Sequence, residues 1–253
     1  MKLYLTPDTY IDTQKGFDLS IPLSNTEQNP TAWHVNTPVM EPVMENGWIG
    51  SVKDGGSVNF RNIAFNPHGH TTHTECLGHI TTEVYSINET LKEFFFTAKI
   101  VSILPEEIEV DGVTDLRISA QQLSNAIGET TATALIVRTL PNTDKTHKHY
   151  TGTNPCYFEK EGAQVLIDCK IDHFLIDTPS VDRESDGGKL AFHHAFWEVP
   201  NNPNFTRTIS ELLFVPSEVT DGEYILNLQV ASFENDAAPC RPVVFKLENG
   251  LDL

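Results

Sequence analysis

A strand, a capped helix and a second strand follow one another between residues 98 and 139, and this order constrains the fold more than any other sequence feature. The segments AKIVSIL (98–104) and TALIVRT (133–139) are short and rich in β-branched residues, which is typical of buried strands. Between them, SAQQLSNAIG (119–128) has Ser119 as a candidate N-cap, Gln122 at the capping-box position and Gly128 as a stop signal. We therefore predict an α/β fold.

Other segments extend this prediction along the chain. HFLIDT (173–178) and YILNLQVASF (224–233) resemble the two buried strands, and CYFEKEGAQVLIDCK (156–170) is a candidate second helix whose QVLI part also fits a strand. The 253 residues are 39% hydrophobic and 21% charged, as in globular proteins. With no repeat or low-complexity linker in sight, we predict one domain over residues 1–253 with a β-rich first third.

The charge of the chain limits its partners. A net charge of -18 argues against nucleic acid and anionic membranes, because binding to phosphates needs clustered Lys and Arg. Asp8 and Asp12 interrupt the start of the chain, so no signal peptide is expected, and the longest apolar run contains Lys99 and is too short for a bilayer. Four cysteines form no CxxC pair. A cytoplasmic protein with reduced thiols fits best.

The segment NPHGHTTHTECLGHI (66–80) holds four of the ten histidines. On an extended chain His73 and Glu75 point to the same side, whereas on a helix they would diverge, so the helical HExxH arrangement does not apply. His79 can return to the same cleft, and either His68 or His70 can enter from the other side.

Imidazole and carboxylate groups of this kind are suitable ligands for zinc, manganese or iron. The segment therefore favours a metal site, and the alternative is a surface loop of solvated histidines. Cys76, between His73 and His79, is a weaker candidate nucleophile, and it should face away from its ligand neighbour on an extended chain. No Gly-x-Ser-x-Gly elbow supports a serine hydrolase.

Two further candidates lie in the last quarter of the chain. His193 and His194 are adjacent, so only one of them can face a site on an extended chain. Glu211 lies in the apolar context TISELLFVP, where a carboxylate needs a partner, which is either a metal or the nearby Arg207. Aromatic residues that can line a pocket or pack in the core are Trp33, Trp48, Phe65, Phe196 and Trp197.

At these residues the sequence resembles the metal-dependent cyclase or kynurenine formamidase family, which includes isatin hydrolases. THTECLGH (72–79) is similar to the later part of the family signature His-x-Gly-Thr-His-x-Asp-x-Pro-x-His. Other segments that resemble the family occur in family order; they are FDLSIPLS (17–24), LIDTPSVD (175–182), HHAFW (193–197) and TISELL (208–213). The resemblance covers most of the chain and implies a swivelling β/β/α domain.

The departures from the signature affect the ligand assignment. Glu75 stands where the family has Asp, Thr71 where it has Gly, and Leu77 where it has Pro. A gapless match puts the first family His on Gly69, so an insertion brings in His68 and a one-residue shift brings in His70. We prefer His68 and keep His70 as the alternative. Asp177, Ser180 and Asp182 should shape the loop beside the site through local hydrogen bonds.

The resemblance implies a metal-dependent hydrolase of a small amide, formamide or lactam. Zinc or manganese would be bound by His68, His73 and Glu75, joined by His193 and Glu211 if there is a second ion or a mixed site. His79 would be the catalytic acid and base, since the family match places it outside the primary ligands; the alternative is a further ligand or an orienting group.

The resemblance also implies a homodimer or homotetramer, in which residues 1–44 are a candidate segment for crossing to a neighbouring subunit. The competing hypothesis is a metal-binding or ligand-binding protein that keeps the cyclase scaffold without turnover, because Glu75, Thr71 and Leu77 all depart from the signature.

Overall fold

The computed structural model describes residues 1–250 as a mixed α/β structure built around a nine-stranded sheet. The strands are β1 Lys2–Tyr4, β2 Thr9–Asp12, β3 Phe17–Asp18, β4 Val39–Pro42, β5 Met44–Glu45, β6 Trp48–Ile49, β7 Arg61–Ala64, β8 His73–Glu75, β9 Phe95–Ile103, β10 Glu106–Val110, β11 Val113–Ile118, β12 Ala134–Thr139, β13 Tyr157–Phe158, β14 His173–Ile176, β15 Thr208–Glu211, β16 Gly222–Asn227, β17 Ala237–Pro239, β18 Val243–Lys246 and β19 Glu248–Asn249. The helices are α1 Pro67–His70, α2 Ile87–Thr90, α3 Ala120–Ile127, α4 Gly162–Asp168 and α5 Ala191–Phe196, and a 3-10 turn covers Leu77–Ile80. Across residues 1–250, none of the helices has the length and apolar character needed to span a bilayer.

The predicted strand–helix–strand unit is present. β9 and β12 lie side by side and parallel, with Ala98 opposite Ala134. A β10–β11 hairpin follows β9, and α3 then leads back to β12. The capping box forms, because the Ser119 hydroxyl accepts from the Gln122 amide at 3.3 Å and the Gln122 side chain accepts from the Ser119 amide at 3.0 Å. Gly128 ends the helix with a φ of 54°.

Two sequence predictions were too long. In segment 156–170, helix α4 covers only Gly162–Asp168, because Tyr157 and Phe158 pair in parallel with β11 and their backbone groups belong to a sheet. In segment 224–233, the strand ends at Asn227, which pairs with Phe95 at the first residue of β9. Beyond that residue β16 has no further partner in β9, so the chain leaves the sheet.

The sheet separates two apolar clusters. Along β12, Leu135 and Val137 point to the cluster under α3, α4 and α5, whereas Ala134 and Ile136 point to the opposite layer. This alternation follows from the two-residue period of a strand, and both sides are apolar because both faces of the sheet are covered. The parallel strands therefore form a rigid support for the residues at their ends.

The order of the central strands places the functional residues at one edge. The sheet order is β17-β8-β15-β14-β12-β9-β16-β18-β3, and β9, β12, β14 and β15 are parallel to one another. Their carboxyl ends share one edge, the edge at which open α/β sheets commonly bind ligands. β15 ends there at Glu211, directly opposite His73 at the start of the antiparallel strand β8.

His173, at the opposite end of β14, makes the fold sensitive to acid. Its side chain is 8% exposed, contacts Phe96 and lies 2.9 Å from the Thr208 hydroxyl. Burial disfavours the imidazolium and lowers the pKa of His173 to about 4, against an ordinary value of 6.5. The unfolded chain therefore takes up a proton below pH 6.5, while the folded chain stays neutral until about pH 4.

We expect the contribution of His173 to stability to fall as the pH drops from 6.5 to 4, by about 2 kcal/mol between pH 7 and pH 5. His173→Gln removes this titration. Urea unfolding of both proteins at the two pH values measures the difference, and the pH-dependent loss should be smaller in the variant. An equal loss in both would assign the acid sensitivity to other groups.

Candidate metal centre

The histidine segment is built from three short elements. Asn66 caps α1 by accepting the Gly69 amide at 3.1 Å, and His68 lies on this helical turn. His73 and Glu75 then point to the same side of the extended strand β8, as predicted. The 3-10 turn brings His79 back toward them. The three elements thus bring the side chains of His68, His73, Glu75 and His79 together.

The structure places His68 in this cluster and His70 outside it. His68 Nδ1 lies 3.0 Å from Glu75 Oε2, although it is not aligned for a hydrogen bond. His70 instead accepts the Asn66 amide at Nδ1 (2.8 Å), and its Nε2 donates to the Asn36 carbonyl (2.6 Å). Both ring nitrogens of His70 are thus used locally.

Gly69 allows this arrangement. An added Cβ at Gly69 would lie 2.8 Å from Val35 Cγ2 and 3.0 Å from the Ala32 carbonyl oxygen. The segment 32–35 therefore packs directly on α1, and the Ala32 amide donates to the Gly69 carbonyl at 3.0 Å. This close approach brings Trp33 to the cluster.

Glu75 is the centre of the cluster and is completely buried. Its Oε1 accepts from His193 Nε2 at 3.0 Å, while its Oε2 lies 4.0 Å from His73 Nε2 and 3.9 Å from His79 Nε2. Burial alone would favour the neutral acid, but the surrounding histidines, His79 and His193 foremost, hold the pKa of Glu75 well below its usual range. It is therefore a carboxylate.

His193 reaches Glu75 because Asp182 holds it from behind. The Asp182 carboxylate accepts from His193 Nδ1 at 2.6 Å and from the backbone amides of Phe192 and His193 at the start of α5. This interaction goes beyond the loop-shaping role expected for Asp182. Burial lowers the pKa of His193, but Asp182 and Glu75 outweigh it and raise that pKa to about 10. His194 faces away, with Nδ1 3.3 Å from the Val199 carbonyl.

Glu211 joins the cluster from β15. Its Oε2 lies 3.5 Å from His73 Nε2, and its Oε1 accepts the Val181 amide at 3.1 Å. The sequence left Arg207 as an alternative partner for this carboxylate. In the structure Arg207 instead forms ion pairs with Glu198 at 2.7 Å and Asp172 at 3.8 Å.

Asp236 is a member of the cluster that sequence analysis missed. Its Oδ2 lies 2.9 Å from His68 Nε2 and 3.1 Å from His79 Nδ1. Burial favours the protonated acid, but these two contacts hold the pKa of Asp236 well below its usual range. Asp236 follows a polar loop and precedes β17, and only the pairing of β17 with β8, where Ala237 lies opposite Glu75, brings it here.

The donor set fits a divalent cation. The cluster contains three overlapping triads, and within each triad the ligand atoms lie within 4.8 Å of one another. The triads are His68, His73 and Glu75; Glu75, His79 and His193; and His68, His79 and Asp236. Among residues 1–250, neither His73 Nε2 nor Glu75 Oε2 has a hydrogen-bond partner, although both side chains are fully buried. His73 Nδ1 lies 3.0 Å from the Thr71 carbonyl, to which it can donate, and this tautomer leaves the Nε2 lone pair for a ligand bond.

The thiol of Cys76 is turned away from this cluster. Its Sγ donates to the Tyr85 carbonyl at 3.2 Å, and the side chain packs in the opposite apolar layer. Burial raises the pKa of Cys76, so the thiol is not activated. The geometry argues against Cys76 as a nucleophile.

A cleft of about 330 Å³ opens onto the cluster. Trp33, Val35 and Leu190 form its apolar wall, and Ser180 and Arg183 are on its polar side. Of the other candidate pocket aromatics, Phe196 and Trp197 are fully buried in the core, Trp48 packs beside Phe60, and Phe65 packs beside Phe233.

Comparison with known proteins gives the same family as the sequence resemblance. A family model described as "Putative cyclase" matches residues 17–183. No curated protein sequence matches the chain. The matched range holds the segments at 17–24, 72–79 and 175–182, while His193 and Glu211 lie beyond it and are brought to the cluster by the fold.

Solved structures share the fold. A potential metal-dependent hydrolase with cyclase activity is 17% identical, with a TM-score of 0.64 over 92% of this chain and 98% of that chain. Isatin hydrolase A from Labrenzia aggregata, bound to benzyl benzoate, is 13% identical, with a TM-score of 0.65 over 91% and 93%. An isatin hydrolase bound to the product analogue thioisatinate is 13% identical, with a TM-score of 0.62 over 92% and 93%. The predicted α/β cyclase-type fold is confirmed, and, since the family model spans well over half of the sequence, the chain belongs to the cyclase family.

Proposed function

We propose that the protein is a metal-dependent hydrolase that cleaves the C–N bond of a small amide, formamide or lactam. The observation that carries this proposal is the pair of unpartnered buried atoms, His73 Nε2 and Glu75 Oε2, noted above for residues 1–250. They lie beside His68, His79, His193 and Glu211, which line the cleft. The solved structures that share the fold include isatin hydrolases, which agrees with this class of reaction.

His68, His73 and Glu75 would hold the metal, with His193 and Glu211 completing a mixed or second site. Mixed imidazole and carboxylate ligands suit zinc or manganese. When bound, such a cation supplies Lewis-acid activation of water and of a carbonyl group. Asp182 orients His193 through Nδ1, and the Thr71 carbonyl orients His73 in the same way.

His79 is the residue that we assign to proton transfer. In the neutral tautomer that donates from Nδ1 to Asp236, its Nε2 carries a free lone pair. The side chain is 30% exposed, in contrast to the buried His73 and His193, and it lines the cleft. The water that attacks the substrate carbonyl can therefore give a proton to Nε2, and the same nitrogen can then donate that proton to the leaving amine.

The cleft supports a small, partly aromatic substrate. A volume of about 330 Å³ is at the low end for small-molecule sites. Trp33 offers a flat apolar surface, and its backbone has a φ of 59°, a left-handed conformation that a tryptophan adopts only where packing holds it. The substrate ring would lie against this wall, with its amide toward the cluster.

The experiment that tests the proposal combines metal analysis and turnover. Protein purified without chelator should contain zinc or manganese at one or two ions per chain, and it should hydrolyse members of a panel of N-formyl anilides and cyclic amides. Metal without turnover across the panel would favour the competing hypothesis, a binding protein on the cyclase scaffold. Protein without metal would refute the assignment of the cluster.

We also propose that the protein is a homo-oligomer, and that the segment 39–64 forms its interface. This arm consists of β4 to β7, and its exposed large apolar residues are Val39, Met44, Trp48, Val52, Val58, Phe60 and Ile63. Monomeric proteins rarely expose so many clustered apolar side chains. From the sequence, residues 1–44 are the candidate segment for crossing to a neighbouring subunit. The exposed apolar residues continue past Met44, so the proposed interface lies mostly after that segment.

Replacing Phe60, which is 57% exposed and packs beside Trp48, by glutamate should convert the oligomer to a monomer. A charge there would have to be desolvated at the interface. Light scattering at micromolar concentration measures the change, and Phe95→Glu, at a 55% exposed position on β9, is the matched control. A monomeric wild-type protein would refute the proposal.

A further inference from the structure

Asp236 lies between two histidines to which different roles are assigned. Its Oδ2 is 2.9 Å from His68 Nε2 and 3.1 Å from His79 Nδ1. The two imidazole rings stack on each other, with centroids 4.3 Å apart and an interplanar angle of 28°. His68 is assigned to metal binding and His79 to proton transfer, so one carboxylate oxygen contacts both parts of the proposed machinery.

The backbone around Asp236 is fixed by hydrogen bonds. The Asp236 carbonyl accepts the Cys76 amide at 3.1 Å, and the Asn235 carbonyl accepts the Ile87 amide at 2.8 Å. The side chain of Asp236 is 15% exposed, and within residues 1–250 it is not one of those that line the metal cleft. Asp236 is therefore placed to act through the two histidines rather than on a substrate.

The contact with Asp236 selects the ligand nitrogen of His68. At neutral pH an aspartate is ionised, and a carboxylate accepts hydrogen bonds but donates none, so the proton of His68 lies on Nε2. In the neutral imidazole the lone pair is then on Nδ1, which lies 3.0 Å from Glu75 Oε2. Ligand atoms bound to one ion at about 2.0–2.2 Å are themselves roughly 3 Å apart. The geometry thus favours Nδ1 of His68 as the metal-binding atom.

The hydrogen bonds also indicate on which side of His68 the ion belongs. His68, His79 and Asp236 form one of the possible triads, in which Asp236 itself would be a ligand. On that side the two imidazole nitrogens and the carboxylate oxygen already pair with one another. On the other side, among residues 1–250, His73 Nε2 and Glu75 Oε2 have no partner. Unsatisfied buried atoms require the cation more, which places Asp236 behind the ligand.

We propose that Asp236 is a positioning residue that serves two histidines at once. It orients His68 so that Nδ1 binds the metal, and it orients His79 so that Nε2 stays free to take a proton. The second part rests on the proposed hydrolase function, whereas the first part requires only a bound metal. Asp236 lies outside the range 17–183 that matches the family model, so the inference comes from the fold of this chain.

Zinc affinity, measured by competition with a chelator, tests the first part. Asp236→Ala should weaken zinc binding about 10–100-fold, the usual effect of removing a group that orients a ligand histidine. Asp236→Asn keeps an acceptor oxygen and should recover part of the affinity.

Two substitutions of His68 identify the nitrogen that binds. The amide of His68→Asn takes the place of Nδ1 and does not extend to Asp236, whereas the amide of His68→Gln takes the place of Nε2. We expect His68→Asn to bind zinc more tightly than His68→Gln. In the His68→Asn background, Asp236→Ala should have almost no further effect on affinity, because the group that it orients is absent.

Turnover of the zinc-saturated protein tests the second part, with a substrate from the amide panel that wild type hydrolyses. Asp236→Ala should lower kcat about 10–100-fold. Most of this loss should disappear in the His79→Ala background, because both substitutions disable the same group. The matched control is Glu234→Gln, an exposed position in the same loop whose carboxylate accepts the Asn88 side-chain amide at 2.7 Å. It should leave zinc affinity and kcat unchanged, and thermal melts check the folding of each variant.

Several results would overturn the proposal. Unchanged zinc affinity in Asp236→Ala would do so, as would tighter binding by His68→Gln than by His68→Asn. An equal loss of affinity in the wild-type and His68→Asn backgrounds would make Asp236 a ligand. A full additional loss of kcat in His79→Ala would refute the second part. If wild type hydrolyses no member of the panel, the hydrolase function fails, and the zinc affinities still decide the role of Asp236.

Discussion

Replacement of His73 by alanine is expected to strip the metal from the protein and to lower its melting temperature by roughly 10 °C. His73 is fully buried, it is held by the Thr71 carbonyl, and its Nε2 faces Glu75 and Glu211. Alanine removes one ligand atom and an imidazole that lies between these two carboxylates. Because bound metal stabilises only the folded state, the loss of affinity appears as a loss of stability.

Elemental analysis and melting curves with and without chelator separate metal loss from simple destabilisation. Chelator should lower the melting temperature of wild type and leave that of His73→Ala almost unchanged. His70→Ala is the matched control, since it removes a buried histidine of the same segment whose nitrogens bond Asn66 and Asn36. The control should lose stability and keep its metal. Unchanged metal content in His73→Ala would rule out the site.

Local periodicity explains which parts of the site could be predicted. The shared direction of His73 and Glu75 follows from the two-residue period of a strand, and the start of α3 follows from the pairing of Ser119 with Gln122. These features depend on neighbours within a few residues. The family resemblance added His193 and Glu211 across more than a hundred residues, and the structure brings both to Glu75 and His73.

The unpredicted parts depend on contacts that no local pattern encodes. Asp236 reaches His68 only because β17 adds to the edge of β8, and its own segment reads as a polar loop. His68 is preferred to His70 from the sequence, but the physical cause of the choice, the turn of α1 and the close packing of Val35 on Gly69, is visible only in the structure. Asp182 could be placed near the site from its motif, but its hydrogen bond to His193 requires the position of α5.

His79→Ala is expected to keep its metal and its fold and to lose roughly 10²–10⁴-fold in kcat, the usual contribution of general acid–base catalysis. Its exposure separates His79 from the primary ligands. The side chain of His79 is 30% exposed, whereas those of His68 and His73 are 17% and 0% exposed, so His79 can meet both water and substrate.

The position of Asp236 supports this assignment, and it also fits the alternative in which His79 is a metal ligand. The carboxylate at 3.1 Å from Nδ1 fixes the tautomer whose Nε2 accepts a proton, and it stabilises the imidazolium that results. The same geometry would also suit a ligand histidine with a carboxylate behind it, and His79 does lie in a possible triad with Glu75 and His193. Elemental analysis beside kinetics decides between these roles, with His194→Ala, whose ring faces away from the cluster, as the control. Loss of metal together with activity would make His79 a ligand, and retained activity would remove it from the mechanism, whereas an inactive protein that still binds its metal is the result that general acid–base catalysis requires.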